Sequence, residues 1–577
     1  MTVETVLEQP QERTERLRGR ADWGFRADSH RRLALFTLAA LALNSLIFAP
    51  ISLWPISFVC MVPWLLVIGG SSRAPRVYFW SYVWGLAFFL FNMRWLYLAT
   101  GLGYVALSIY LAVYYPLVAC PVRHAVRRRG WPMAVAFPIV WTGGELLRAV
   151  VMSGFPWFFL SHSLYKVPPL IQISDTLGAY GVSFVIAAVN GTIADLWFTR
   201  AVPKNSAVFH YRRRAARWGA GWAIGLLVLS LAYGIFQLLR DTTRPGPSIA
   251  ILQGDFIMTV EGEETRDAEK RKIFYAMMEE ASKQSPDLYL LPETPWIMYL
   301  NPEARDGHAV SQQSFNALRR HATKHGAYVV TGSASLFRTP YDLLTKERRY
   351  NSAAVFSPDG AEPYQYHKVH TVYFGETVPF RSGRFRFLYL WINRMMPFSN
   401  NGEFEYSLFP GDEFKVFEMN PPSQPQEKYR FGIPICYEDV MPYVSRRFAS
   451  DGTGGKRADF LLNISNDGWF GRGMQQPQHL AICVFRAVEN RVGFARAVNT
   501  GVSAFIDPSG RIHDVVTGDP LKRWHKQCGF AVARVGVDSR NTLYSRLGDV
   551  FGWACVLLGF ALYVDYWVLR ARLRKDG

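Results

Sequence analysis

Ile433-Pro434-Ile435-Cys436-Tyr437-Glu438 decides how the rest of this chain is read. An apolar run meets a cysteine, and polar and charged residues follow at once. The pattern predicts a buried strand that ends in a sharp turn and presents a thiol at the sheet edge. Such a thiol acts as a nucleophile when a base and an oxyanion donor stand beside it. Working outward, Leu291-Pro292-Glu293 and Tyr366-His367-Lys368 supply an acid and an amine. Ser248–Leu252, Leu288–Leu291, Ala327–Val330, Ala353–Phe356, Phe431–Ile435, Phe460–Ile464 and Gly493–Ala497 read as strands. Glu264–Lys283, Ser311–His325 and Leu480–Asn490 read as amphipathic helices. The alternation predicts an α/β domain over residues 248–538, with a sheet covered by helices. Reactive groups in such folds gather where strands end.

Each residue type has a role in that setting. A thiol needs a base or a nearby cation before it attacks. Glu293 takes the proton if partial burial raises its pKa. Lys368 stabilises the thiolate and the oxyanion of a tetrahedral intermediate, and the backbone amide after Cys436 adds a donor. Attack on an ester or amide leaves a thioester on Cys436, which water or an amine resolves. Taken singly, each of the three residues has an ordinary structural explanation; their shared placement at strand ends carries the argument.

The remainder of the sequence places this chemistry at a membrane. Apolar runs near the length of a bilayer-spanning helix cover Leu33–Pro50, Ile51–Gly70, Val77–Thr100, Gly101–Val122, Trp131–Met152, Ile171–Phe198, Trp218–Leu239 and Val550–Leu569. Arg94 weakens the third and Asp175 the sixth. The expected order is a polar cytoplasmic leader (1–32), seven spans (33–240), the α/β domain, an eighth span (550–569) and a basic tail (570–577). A cleaved signal is not expected, because the leader is long and contains acids.

The net charge of +18 is a topology signal rather than a nucleic-acid footprint. Arg73 and Arg76, Arg123 with Arg127–Arg129, Arg200 through Arg217 including Lys204 and Arg212, and Arg570 through Lys575 all fall on one side if the spans alternate. The positive-inside rule makes that side cytoplasmic and the α/β domain extracytoplasmic. Cys60, Cys120 and Cys555 lie in or beside apolar runs as core residues. Cys483 and Cys528 lie in the outer domain, where a disulfide between them stays open. No Cys/His spacing indicates zinc, and neither metal nor cofactor is expected. Glu145 and Arg148, one helical turn apart inside an apolar run, are expected to pair.

Glu293, Lys368 and Cys436 in this chain order resemble the triad of the nitrilase (carbon–nitrogen hydrolase) superfamily, and the chain more narrowly resembles the apolipoprotein N-acyltransferase family. The likeness rests on Leu291–Thr294, Lys368 with Phe374–Phe380, Cys436-Tyr437-Glu438, Asn466–Gly471, His479 through Arg491 and Asn499-Thr500-Gly501. In the membrane part it rests on Glu145–Arg148, Ser153–Trp157 and Gly178–Phe184. The resemblance implies an α/β nitrilase-like α-β-β-α sandwich fused to an all-α transmembrane bundle of about eight helices. It implies an acyl chain passing from a phospholipid, typically phosphatidylethanolamine, to Cys436, and then to the α-amine of a diacylglyceryl-cysteine that begins an apolipoprotein. Glu376, Tyr437 and Glu438 are expected as supporting residues, the two acids orienting Lys368. Trp469 and Phe470 are expected as a lid or lipid contact. The likeness also implies an inner-membrane enzyme with its catalytic domain on the periplasmic side. Gly468 departs from the family pattern, where alanine is usual, and after Gln253 no tryptophan matches the one the family often uses near the substrate. The competing reading is a membrane-tethered carbon–nitrogen hydrolase or amidase with water as acceptor; a non-catalytic scaffold ranks below both.

Overall fold

The structure is a computed structural model describing residues 28–201, 207–257, 263–339, 347–381, 383–395, 407–518 and 527–575. The leader up to residue 27, Lys204 and much of the aromatic-rich segment Arg381–Phe409 lie outside the described residues.

Twelve strands among the described residues form two sheets. In chain order they are β1 (Arg244–Gln253), β2 (Leu288–Leu290), β3 (Tyr328–Arg338), β4 (Glu347–Phe356), β5 (Tyr364–His367), β6 (Val416–Met419), β7 (Tyr429–Gly432), β8 (Phe460–Ser465), β9 (Gly493–Val498), β10 (Ala504–Ile506), β11 (Ile512–His513) and β12 (Gly529–Val537). One sheet runs β12-β1-β2-β3-β4-β5 and the other β6-β7-β8-β9-β10-β11. Both repeat one pairing pattern: antiparallel, parallel, parallel, antiparallel, antiparallel.

Alternation along the strands builds the layers. Ile249, Ile251, Leu288, Leu290 and Val330 join the core shared with the second sheet. Their neighbours Ala250, Leu252, Tyr289, Leu291 and Val329 face helices Glu263–Ala281 and Ala309–His325 instead. Period two thus puts one sheet between a helix layer and a second sheet. Helix Gln475–Asn490 has nearly every side chain buried, because the membrane unit covers its other face.

In the membrane unit, five helices among the described residues are long and apolar enough to cross a bilayer: Gly101–Arg128, Met133–Ser153, Ala179–Arg200, Arg213–Leu239 and Val550–Leu573. Trp54–Gly70 is shorter, and His30–Ile47 and Ala74–Asn92 are further helices packed on the same bundle. By length and composition five qualify among the described residues, so the expected count of about eight is not confirmed.

Two charges leave the spans they were expected to weaken. Arg94 falls in a 3-10 turn, Arg94–Leu98, beyond Ala74–Asn92. Asp175 lies before Gly178, in the short helix Ser174–Leu177, where it accepts from Arg491 Nη2 at 2.6 Å. Glu145 and Arg148 take separate partners. Glu145 Oε1 accepts from Trp141 Nε1 (2.9 Å) and the Leu160 amide (2.8 Å). Arg148 donates to the Phe158 carbonyl at 3.2 Å and lies over the Phe89 and Phe159 rings. All six cysteines are free thiols, Cys483 and Cys528 among them.

Candidate active site

Glu293 stands just beyond β2, and its approach to the next strand depends on a glycine. A Cβ on Gly332 of β3 would sit 2.5 Å from the Thr294 nitrogen and 2.7 Å from the Glu293 Cα. Only a residue without a side chain lets the Pro292–Thr294 segment fold over β3. Lys368 follows β5 directly; its amide donates to the Asn351 carbonyl (2.8 Å), and its carbonyl accepts from Gly411 (2.8 Å). Cys436 opens a one-turn 3-10 helix, Cys436–Asp439, and has a left-handed φ of 51°. That conformation strains a non-glycine residue, and such strain clusters at functional sites.

The structure brings these three strand ends together. Glu293, Lys368 and Cys436 lie close enough that each shifts the titration of the other two. Lys368 Nζ donates to Glu376 Oε1 at 2.8 Å. Asn351 Nδ2 donates to Glu293 Oε1 (2.6 Å) and to Glu376 Oε1 (3.0 Å), holding the two carboxylates side by side. Glu376 Oε2 also accepts from the Val372 amide at 2.9 Å.

One cation and two buried carboxylates give an uneven charge distribution. Burial would raise Glu376, but Lys368 beside it and three hydrogen bonds hold it below the usual carboxylate value. Burial pushes Glu293 up; Lys368 offsets this in part, and the Glu376 charge adds to it. Burial and the Glu293 charge push the Cys436 thiol well up, against the pull of Lys368. Lys368 itself stays charged, because Glu376, Cys436 and Glu293 outweigh its burial. The resting site therefore holds a protonated thiol beside a carboxyl whose proton affinity is raised.

Glu438 ties the lysine to the cysteine. Its Oε1 accepts from the amides of Val369 (2.8 Å) and His370 (2.9 Å), just after Lys368. Its Oε2 accepts from the Ile435 amide (2.8 Å), just before Cys436, and Tyr366 Oη donates to both oxygens at 2.8 and 2.9 Å. Burial pushes Glu438 up to about 7 despite these donors.

Tyr437 turns away from this knot toward the membrane unit. Its hydroxyl donates to the Gly154 carbonyl at 3.0 Å, and its ring stacks on Trp157 (centroids 6.3 Å, 9°). The turn that carries the thiol thus docks on the Ser153–Trp157 segment. Phe470 packs edge-on against Trp95 at 4.9 Å, and Trp469 is 43% exposed. Gly468 is confined: a Cβ there would lie 2.9 Å from the Phe256 carbonyl oxygen.

A second buried quartet lies behind the turn. His479 Nε2 meets Asp439 Oδ1 at 2.6 Å, and its Nδ1 meets Asp467 Oδ1 at 3.0 Å. Arg496 Nε donates to Asp439 Oδ2 at 3.2 Å. All four side chains are buried. Sequence reading did not assemble this group, nor did it find Asn351, Tyr366 or Gly332. The available signal was a charged residue inside an apolar strand: Arg496 in Gly493-Phe494-Ala495-Arg496-Ala497-Val498.

A two-sheet α/β domain with an acid, an amine and a thiol at its strand ends, docked on apolar helices, defines a membrane-associated enzyme of the carbon–nitrogen hydrolase class. Comparisons with known proteins agree. The Carbon-nitrogen hydrolase family matches residues 260–519, and the Apolipoprotein N-acyltransferase N-terminal domain family matches residues 40–192. The apolipoprotein N-acyltransferase of Geobacter metallireducens is 30% identical over 552 residues, covering 91% of this chain and 94% of that relative. The one from Chromobacterium violaceum is 29% identical over 560 residues, covering 92% and 94%. Among solved structures, an amidase from Nesterenkonia sp. AN1 aligns with a TM-score of 0.33 at 16% identity, covering 53% of this chain and 98% of that one. The chain belongs to the apolipoprotein N-acyltransferase family.

Proposed function

We propose that this protein moves an acyl chain from a phospholipid, typically phosphatidylethanolamine, to the α-amine of the diacylglyceryl-cysteine of an apolipoprotein, through a thioester on Cys436. One observation carries the reading: Cys436 stands with Glu293 and Lys368, which Asn351 and Glu376 join, on a turn that rests on the membrane unit.

The steps assign each group a role that its position allows. Glu293 takes the thiol proton as sulfur attacks the ester carbonyl. Lys368 and the Tyr437 amide stabilise the oxyanion. The intermediate collapses, and the lysophospholipid oxygen leaves with the proton from Glu293. The acceptor amine then attacks the thioester; Glu293 receives the amine proton and returns it to sulfur, restoring the thiol. Glu376 keeps Lys368 in place, and Glu438 holds the backbone on both sides of the reacting groups.

The bundle supports an inner-membrane location with the catalytic domain on the periplasmic side. Basic groups meet at one end: Arg123 and Arg127 donate to carbonyls of Ile68–Ser72, and Arg129 pairs with Asp565 near the basic tail. The other end meets the catalytic domain at Gly154 and Trp157. The positive-inside rule makes the basic end cytoplasmic. The amphipathic helix Arg386–Met395 exposes Phe387, Leu390, Trp391 and Met395, a set suited to the lipid interface.

The test supplies purified protein with acyl-labelled phospholipid and a diacylglyceryl-peptide. Label appearing as amide on the peptide supports the reading. Label released only as free fatty acid would instead favour a membrane-tethered hydrolase.

A further inference from the structure

The outer helix layer carries a second chemical site, remote from the reacting groups in the fold. Helix Ala309–His325 places His321 and His325 one turn apart on one face. Their rings stand 4.4 Å apart between centroids. Helix Glu263–Ala281 brings Glu279 across to them. The Glu279 carboxylate is split between partners: Oε1 accepts from Lys324 Nζ at 2.6 Å, while Oε2 faces His321 Nδ1 at 3.9 Å and His325 Nε2 at 3.4 Å.

We propose that Glu279, His321 and His325 bind one divalent first-row transition-metal ion, zinc in the first instance. Two imidazoles and a carboxylate, with two of the ligands at i and i+4 of a helix, are a donor set suited to Zn2+ with an open fourth position. The three donor atoms all lie within 4.8 Å of one another. Tetrahedral zinc needs donors about 3.3 Å apart, so the side chains would draw together on binding. No other cation holds Oε2 in the described contacts, because Lys324 takes Oε1.

The ion would clamp the two helices that cover the first sheet. The His321 ring packs edge-on against Tyr289 of β2 at 4.6 Å, and β2 leads directly to Glu293. The site thus braces the strand that presents the base. The sequence held half of this signal, His-x-x-x-His at 321 and 325, but the third ligand comes from a different helix.

The test uses the full-length protein in detergent, with any affinity tag removed and metal stripped by chelator. Co2+ is titrated as a spectroscopic probe, followed by Zn2+. The expected result is one equivalent of tetrahedral Co2+ displaced by one of Zn2+, and a thermal midpoint that rises with Zn2+. His325→Gln and Glu279→Gln should each weaken binding by more than about tenfold, whereas Lys324→Gln should retain it. Both test residues are partly exposed, with side chains 19% and 56% accessible, so the variants are expected to fold. A wild type that binds no Co2+, or binding that survives both substitutions, would overturn the site.

Discussion

Two buried quartets flank the Cys436–Asp439 turn, and they differ by one positive charge. On one side, Glu293 and Glu376 share a single cation, Lys368, next to the Cys436 thiol. On the other, Asp439 and Asp467 share two, His479 and Arg496. With two cations, both aspartates sit below the usual carboxylate range despite burial. With one, Glu376 takes the lysine and Glu293 is left above it. The balanced quartet has a cation for each carboxylate; in the unbalanced one, Glu293, the proposed base, is left without a cation of its own.

The largest test removes the sulfur from the unbalanced quartet. Cys436→Ala should lower acyl transfer by at least about 10⁴-fold, measured as labelled product per folded molecule. Glu293→Gln comes next, with a loss of about 10² to 10⁴-fold. The wild-type rate should rise with pH through an apparent value above 4.5, because only the ionised carboxylate accepts the proton. That limb should vanish in the variant.

Glu376→Gln sharpens the comparison by giving Glu293 sole use of Lys368. Loss of the neighbouring negative charge should lower the Glu293 value, moving the acidic limb to lower pH and weakening the base. The rate at neutral pH should fall by about 10-fold, and an unmoved limb would break the charge argument.

The smallest effect on turnover is expected in the balanced quartet, where the cost falls on stability. His479→Gln leaves two buried carboxylates with one cation and should destabilise the fold by about 3 kcal/mol, read as a lowered thermal midpoint. Turnover per folded molecule should stay within about threefold, as for a position that touches no reacting atom. The pH dependence follows from linkage. Asp439 and Asp467 are depressed, so their stabilisation is present above 3.8 and is lost as pH falls through their folded values. His479 is raised by its two aspartates against burial and Arg496, so its stabilisation is full below 6.5 and is lost as pH rises through its folded value. The stability gap between wild type and His479→Gln should be widest between those limits.

The strand ends were legible because apolar runs stop abruptly at Pro292-Glu293 and Cys436. Central strands such as β8 are buried on both faces and read clearly. β5, β6 and β11 lie at sheet edges with half-exposed patterns, which a local hydrophobic pattern marks weakly. β12 is apolar, but it pairs with β1 at the opposite end of the domain sequence, a contact no local window reports. The acid, amine and thiol proposed as a triad could be read for the same reason as the strand ends. The uneven sharing of Lys368 was not, since Asn351 and Glu376 act through geometry. The expected Glu145–Arg148 pair failed because a backbone amide and an indole satisfied the carboxylate first.

The most direct test of the central claim is to incubate the intact protein with a phospholipid of known acyl mass, without acceptor, and map the modification by peptide mass spectrometry. The charge arrangement predicts one acyl group on the peptide containing Cys436, released by neutral hydroxylamine and strongly reduced in Glu293→Gln. An acyl group on another residue, or full acylation of Cys436 in Glu293→Gln, would contradict it.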